Sequence, residues 1–237
     1  MAQDDFDALS LAQYLHLSRE QVLKMADRGR LPGRKVGGEW RFSSAEVHHW
    51  LEEKIGARDD DQLAALEAQL HDESATDDQD HSYATLAELI PLEAIAIPLD
   101  ARTKTSTIDA IVELAMTTGW LWDPAKLAEA VRQREDLHPT SLDNGVALLH
   151  PRRPMSGILE RPFIALGRTP RGIPFGGPTL TDLFFLICST DDRGHLVALA
   201  RLSRMLGTGE YLQNLRAATD AREAYELIQA FDAEVSS

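Results

Sequence analysis

The chain has 237 residues, 43% hydrophobic and 26% charged, enough apolar material for one large domain or two unequal ones. Its 38 acidic residues against 24 basic ones leave a net charge of -14, which argues against whole-molecule attraction to nucleic acid. No apolar run approaches the roughly 20 residues of a membrane helix, the start Met1-Ala2-Gln3-Asp4-Asp5 has no leader character, and a single cysteine forbids an internal disulfide; a cytoplasmic protein without membrane insertion is expected.

The first elements lie between about Leu9 and Lys54. Leu9, Leu11, Ala12 and Leu15 have helical spacing. Ser18 with Gln21 three residues on is a capping box, which predicts a second helix running to about Arg28 and stopping at Gly29. Leu31-Pro32 breaks the chain, and Arg34-Lys35-Val36 and Glu39-Trp40-Arg41-Phe42 flank Gly37-Gly38, a two-residue hairpin signal. Ser43 with Glu46 is expected to cap a last helix through Trp50 and Leu51.

This unit is a basic island. From Arg19 to Arg41, seven cations stand against Glu20, Asp27 and Glu39. A helix-turn-helix followed by a two-stranded wing offers a helix to the major groove and a basic hairpin to the phosphates. The expected DNA contacts are Arg19, Lys24 and Arg28 on the second helix, with Arg34, Lys35 and Arg41 on the wing. The bland alternative is a solvated charged face. Trp40 and Trp50 are expected in the core, and His48-His49 on the surface, because adjacent histidines on a helix point in different directions. One such unit makes few phosphate contacts, so tight binding calls for a homodimer or a second DNA-binding protein.

From Gly56 to Ser82 the chain is acidic, with Asp59-Asp60-Asp61 and Asp77-Asp78-Gln79-Asp80 around a short helical stretch, Gln62 to Leu70. It reads as a solvated, partly helical linker between a domain at 1–55 and another at 83–237.

In the second domain a strand is expected at Ile95 to Leu99 and a helix at Thr107 to Thr118. Asp123 caps a helix with Pro124 at its first position, running to about Gln133. Strands follow at Gly145 to Leu149, Phe163 to Leu166 and Asp182 to Cys188, then helices at His195 to Leu206, Glu210 to Ala217 and Arg222 to Phe231. The alternation predicts an α/β fold, a mixed sheet flanked by helices. Cys188 reads as core filler.

The strand after Asp143-Asn144-Gly145 ends on His150. A histidine held at a sheet edge with one ring nitrogen open is a usable nucleophile for a phosphoryl group, although most histidines after strands are structural. Arg134 lies on the helix before this turn, and His195 begins the helix after the strand Asp182 to Cys188. A cation and a second imidazole supply the charge neutralisation and hydrogen-bond donation that a transferred phosphoryl group calls for. A metal site of His138, His150 and His195 is disfavoured, because no carboxylate or cysteine accompanies them at ligand spacing. His138 reads as surface, and neither metal nor other cofactor is expected.

Two resemblances follow from these residues. The segment "LSLAQYLHLSREQVLKMADRGRLPGRKVGGEWRFSSAEVHHWLEE" resembles the excisionase-type, MerR-like winged helix-turn-helix domain, which implies Ser18 to Arg28 as recognition helix. The segments "AIPLDARTKTSTIDAIVELA", Arg134-Glu135, "TSLDNGVALLHPR", "GIPFGGPTLTDLFFLICS" and "GHLVALARLSRMLGTGEYLQNLRAATDAREAYELI" resemble the enzyme IIA domain of the fructose/mannitol and nitrogen-regulatory classes of the bacterial sugar phosphotransferase system. That likeness implies that His150 accepts a phosphoryl group from HPr, the phosphohistidine carrier protein, with Arg134 and His195 as its active-site arginine and second histidine. Leu148-Leu149 stand where that family usually has isoleucine and proline, and Pro174 where an aspartate is common. The expected function is a regulator in which phosphorylation is coupled to DNA binding. The alternatives are a phosphocarrier for a sugar permease, or a transcription factor whose second domain senses a ligand or partner without phosphorylation.

Overall fold

The computed structural model describes residues 5–14, 18–43, 46–47, 50, 85–137 and 139–235. The expected linker helix at Gln62 to Leu70, the Ser43–Glu46 cap as a whole, His48-His49 and His138 lie outside these residues. The chain divides into two units, Met1–Asp59 and Asp60–Ser237, each with its own core.

The first unit opens on β1 (Asp5–Asp7), a strand too short, at three residues, to show a period in the sequence. Asp7 then caps α1 (Ala8–Tyr14): its Oδ1 accepts from the N–H of Leu9 at 2.9 Å and of Ser10 at 2.7 Å. The Ser18–Gln21 box is formed in both directions and opens α2 (Arg19–Asp27). That helix closes with a Schellman pair of bonds, Arg30 N–H to Met25 O and Gly29 N–H to Ala26 O, around Gly29 at φ +65.

β2 (Arg34–Val36) and β3 (Glu39–Ser43) form the wing, turning at Gly37 and Gly38, both at positive φ. β3 lies between β1 and β2 in an antiparallel sheet. Leu11, Val22, Ala26, Leu31, Phe42 and Val47 make the core. Trp40 and Trp50 are half-buried and do not join it. Trp40 instead stacks on Phe42 (centroids 5.9 Å apart) and donates its indole N–H to Asp27 at 3.2 Å, giving its polar end a partner near solvent.

The second unit contains α3 (Leu86–Leu89), β4 (Ile95–Ala96), α4 (Lys104–Met116), α5 (Pro124–Leu137) and β5 (Val146–Leu149). There follow β6 (Phe163–Pro174), β7 (Leu180–Cys188), α6 (Asp192–Gly207), α7 (Gly209–Ala217) and α8 (Ala221–Val235). The sheet order is β4-β6-β7-β5; β6 and β7 are antiparallel, while β4 runs parallel to β6 and β5 to β7. This is the expected mixed sheet. Ala147, Leu149, Phe163, Ala165, Phe184, Leu186 and Cys188 alternate onto one face and pack with Ile108, Ile111, Val112, Leu127 and Val131 of α4 and α5. The intervening residues Val146, Leu148, Ile164, Leu166, Leu183, Phe185 and Ile187 are buried too, so the sheet is covered on both sides.

Several boundaries differ from expectation; α4 begins earlier at Lys104, β7 at Leu180, and α8 runs on to Val235. β6 continues to Pro174, because its Pro170 and Gly172 fall within a register shift between Arg168 and Ile173, while Gly167 and Pro174 stay paired with Phe184 and Leu180. β4 stops at Ala96, short of Pro98, which has no N–H to donate to a ladder. α5 runs on to Leu137. α6 begins at Asp192, capped by Asp191, so His195 lies inside its first turn rather than at its start.

Candidate functional site

β5 and β7 run parallel in register, with Leu149 opposite Leu186, so their carboxyl ends reach the same sheet edge. His150 follows β5 directly. Beyond β7, Ser189, Thr190 and Asp191 turn the chain into α6; Asp191 Oδ1 accepts from Gly194 N–H at 2.7 Å, and His195 lies one residue further. Two loops at the ends of neighbouring parallel strands thus bring two distant histidines together. Their ring centroids are 5.0 Å apart with the planes at 55°, and they are 2% and 6% exposed.

The tautomer of His150 follows from its surroundings. Nδ1 lies 2.7 Å from the carbonyl oxygen of Leu148, and a carbonyl only accepts. Nδ1 therefore carries the proton, and in the neutral ring Nε2 carries the lone pair. His195 Nδ1 is 3.1 Å from the Ser189 hydroxyl. When that hydroxyl donates, the ring proton of His195 sits on Nε2, as a hydrogen-bond donor. Ser189 is not among the residues that the sequence singles out. Its only signal is its place between the end of an apolar strand and the cap of the His195 helix.

Arg134 is buried in the last turn of α5. Its neighbour Glu135, 1% exposed, accepts at Oε1 from Thr140 N–H at 3.0 Å and from the Thr140 hydroxyl. Lys104, the first residue of α4, places Nζ 3.2 Å from Glu135 Oε2, an ion pair without the alignment of a hydrogen bond, and donates to the Glu135 carbonyl at 3.2 Å. Cys188 is buried at the end of β7, and burial pushes its thiol far above the usual range. Among the described residues, no three His, Cys, Asp or Glu side chains are grouped to hold a metal ion, and no helix is long and apolar enough to cross a membrane.

In the first unit, Arg19, Lys24 and Arg28 are exposed along and just beyond α2, and Arg30 joins them. The wing cations are engaged with carboxylates of their own unit: Arg34 with Asp5 at 2.8 Å, Lys35 with Asp27 at 3.5 Å, Arg41 with Glu39 at 3.4 Å. Lys35 also lies 5.0 Å above the Trp40 ring. Exposed pairs of this kind are worth about 0–1 kcal/mol each, so a stronger anion can displace the carboxylate.

Residues 88–231 match the model of the family described as "Phosphoenolpyruvate-dependent sugar phosphotransferase system, EIIA 2", and residues 11–55 match a helix-turn-helix domain. A nitrogen regulatory protein of Bradyrhizobium diazoefficiens is 34% identical over 151 residues, covering 60% of this chain and 94% of that protein. The crystal structure of nitrogen regulatory protein IIA-Ntr from Neisseria meningitidis covers 60% of this chain and 97% of its own, with TM-score 0.54 and 22% identity. Enzyme IIA mannitol of Escherichia coli, solved in complex with phosphorylated enzyme IIB mannitol, covers 60% and 99%, with TM-score 0.52 and 22% identity. The two solved structures establish likeness of fold.

Proposed function

Because this chain belongs to the phosphoenolpyruvate-dependent sugar phosphotransferase system EIIA 2 family and carries a helix-turn-helix domain ahead of that region, we propose that it is a phosphotransferase-system regulator, phosphorylated on His150 by an HPr-type phosphocarrier and acting through DNA. The observation that carries this reading is the Nδ1 bond to Leu148 O, which leaves Nε2 as the nucleophilic atom beside a second imidazole.

In the proposed step the Nε2 lone pair attacks the phosphorus of a phosphohistidine donor in line. The new N–P bond forms as the donor's N–P bond breaks, and the leaving imidazole keeps the electron pair. The Nδ1 proton stays on the ring, hydrogen-bonded to Leu148 O, so no base has to remove it. His195 donates a hydrogen bond to a phosphoryl oxygen, and Arg134 supplies the compensating charge. A phosphoramidate donor is already energetic, so this scheme asks no metal of the protein. With the Nδ1 proton retained, the product gains one net negative charge, carried as a dianionic phosphoryl group on a protonated ring. In a chain with a basic winged unit, that change of charge is the signal: it alters docking to a partner or to DNA.

Incubation with phosphoenolpyruvate, enzyme I and HPr tests the reading. The wild-type chain should take an acid-labile label that His150→Ala does not. An unlabelled wild type would sink the proposal and leave a transcription factor whose second domain senses a ligand or partner.

A further inference from the structure

The carbonyl that receives the His150 Nδ1–H is itself held from behind. Leu148 donates its own N–H to Thr140 O at 3.2 Å, and Ser141 bridges Ala147, so the stretch at Thr140 and Ser141 lies alongside β5. Thr140 is gripped in turn by Glu135, through both its N–H and its hydroxyl. The Glu135 side chain is wholly buried, with Lys104 as its counter-charge. One carboxylate therefore ties together the start of α4, the end of α5 and the turn that leads into β5.

A buried carboxylate paired with a partly exposed lysine is an expensive way to hold three elements together. Desolvating the carboxylate offsets much of the attraction, and apolar side chains of the same volume often stabilise as well. What apolar groups cannot do is fix a hydrogen-bond direction. From the Glu135 carboxylate the path runs through the Thr140 peptide to the Leu148 N–H, and from the Leu148 carbonyl to the His150 ring.

We infer that Glu135 is a positioning residue for His150: its grip on Thr140 fixes the Leu148 carbonyl, and through it the Nδ1–H tautomer and the ring orientation. The consequence for phosphoryl transfer rests on the function proposed above; the consequence for the tautomer does not. Glu135→Gln keeps the shape but presents a single acceptor oxygen and sets an N–H donor against Lys104. Thr140→Val removes the hydroxyl at constant shape, and Thr140→Ser restores it.

The test combines two readouts on the full chain. Long-range ¹H–¹⁵N correlation of the His150 ring, recorded unphosphorylated at alkaline pH, reports the tautomer. Phosphoryl acceptance from phosphorylated HPr at varied donor concentration separates rate from KM. Glu135→Gln and Thr140→Val should convert a single Nδ1–H tautomer into a mixture and slow transfer about tenfold, the lower edge of what losing an orienting outer partner costs. KM for the donor should stay within about twofold, since the docking surface is unchanged. Thr140→Ser should behave as wild type. Cooperative melting of each variant verifies folding, and the Thr140 pair decides the question if Glu135→Gln does not fold. A folded variant that keeps the wild-type tautomer, or one altered only in KM, overturns the inference. If the wild type takes no phosphate at all, the functional reading falls while the tautomer comparison still decides this one.

Discussion

His150 and His195 are legible as residues because each terminates a pattern: an apolar strand in one case, the entry to an amphipathic helix in the other. Their meeting is not, since it depends on β5 and β7 being parallel neighbours. Ser189 and Glu135 are harder still. A hydroxyl beside one ring and a carboxylate two peptides behind the other have no period, and only the folded register brings them into play. Cys188 illustrates the opposite case, where composition alone is enough. Its burial among Phe163, Phe184 and Leu186 and its upward-shifted thiol predict that the native protein resists iodoacetamide at mildly alkaline pH. The same reagent should alkylate it fully in denaturant; mass spectrometry distinguishes the two, and rapid native labelling would contradict the burial.

Among the elements, those announced by capping chemistry are readable within a few residues, and those punctuated by glycine and proline are not. The Ser18–Gln21 box and the Gly37-Gly38 turn state their geometry locally. β6 contradicts its own breakers, because pairing with β7 on both sides of the register shift outweighs local propensity. α1 makes a testable case of capping. Bonds from the Ser10 N–H, then from its hydroxyl, hold Asp7 below the usual carboxylate range of about 3.9. A depressed folded pKa means that the contribution is fully present above the unfolded value and is lost as pH falls through the folded one. Protection of the α1 amides against hydrogen exchange, measured relative to their intrinsic rates, should therefore fall on acidification below about pH 4. Asp7→Asn should flatten that dependence while keeping the helix, and an unchanged profile would remove Asp7 as its cause.

On the scale of the whole molecule, charge is divided more sharply than the net value conveys. Residues 1–55 hold nine acids and eight bases, a net of -1, so -13 of the total -14 lies beyond them. Such segregation is visible in the sequence, but the prior pairing of Arg34 with Asp5 and of Lys35 with Asp27 is not, because those two carboxylates are brought to the wing only by the fold. Duplex DNA should retain the chain at low salt and release it steeply as salt rises. Replacing Arg34 and Lys35 by alanine should weaken retention across all sequences and lower the salt slope by about one for each phosphate no longer neutralised. The proposed coupling adds that phosphorylated protein and His150→Ala differ in the same titration; identical curves would separate the two activities.

The depth of His150 has a temporal consequence. The phosphoryl group proposed for His150 would be carried by a ring that is 2% exposed and lies beside a second imidazole. Burial of that ring would make spontaneous hydrolysis slow compared with transfer to a fitted imidazole. On the proposed reading, the phosphate would outlast the encounter that delivers it, and the chain would hold a record of recent donor supply rather than an instantaneous reading.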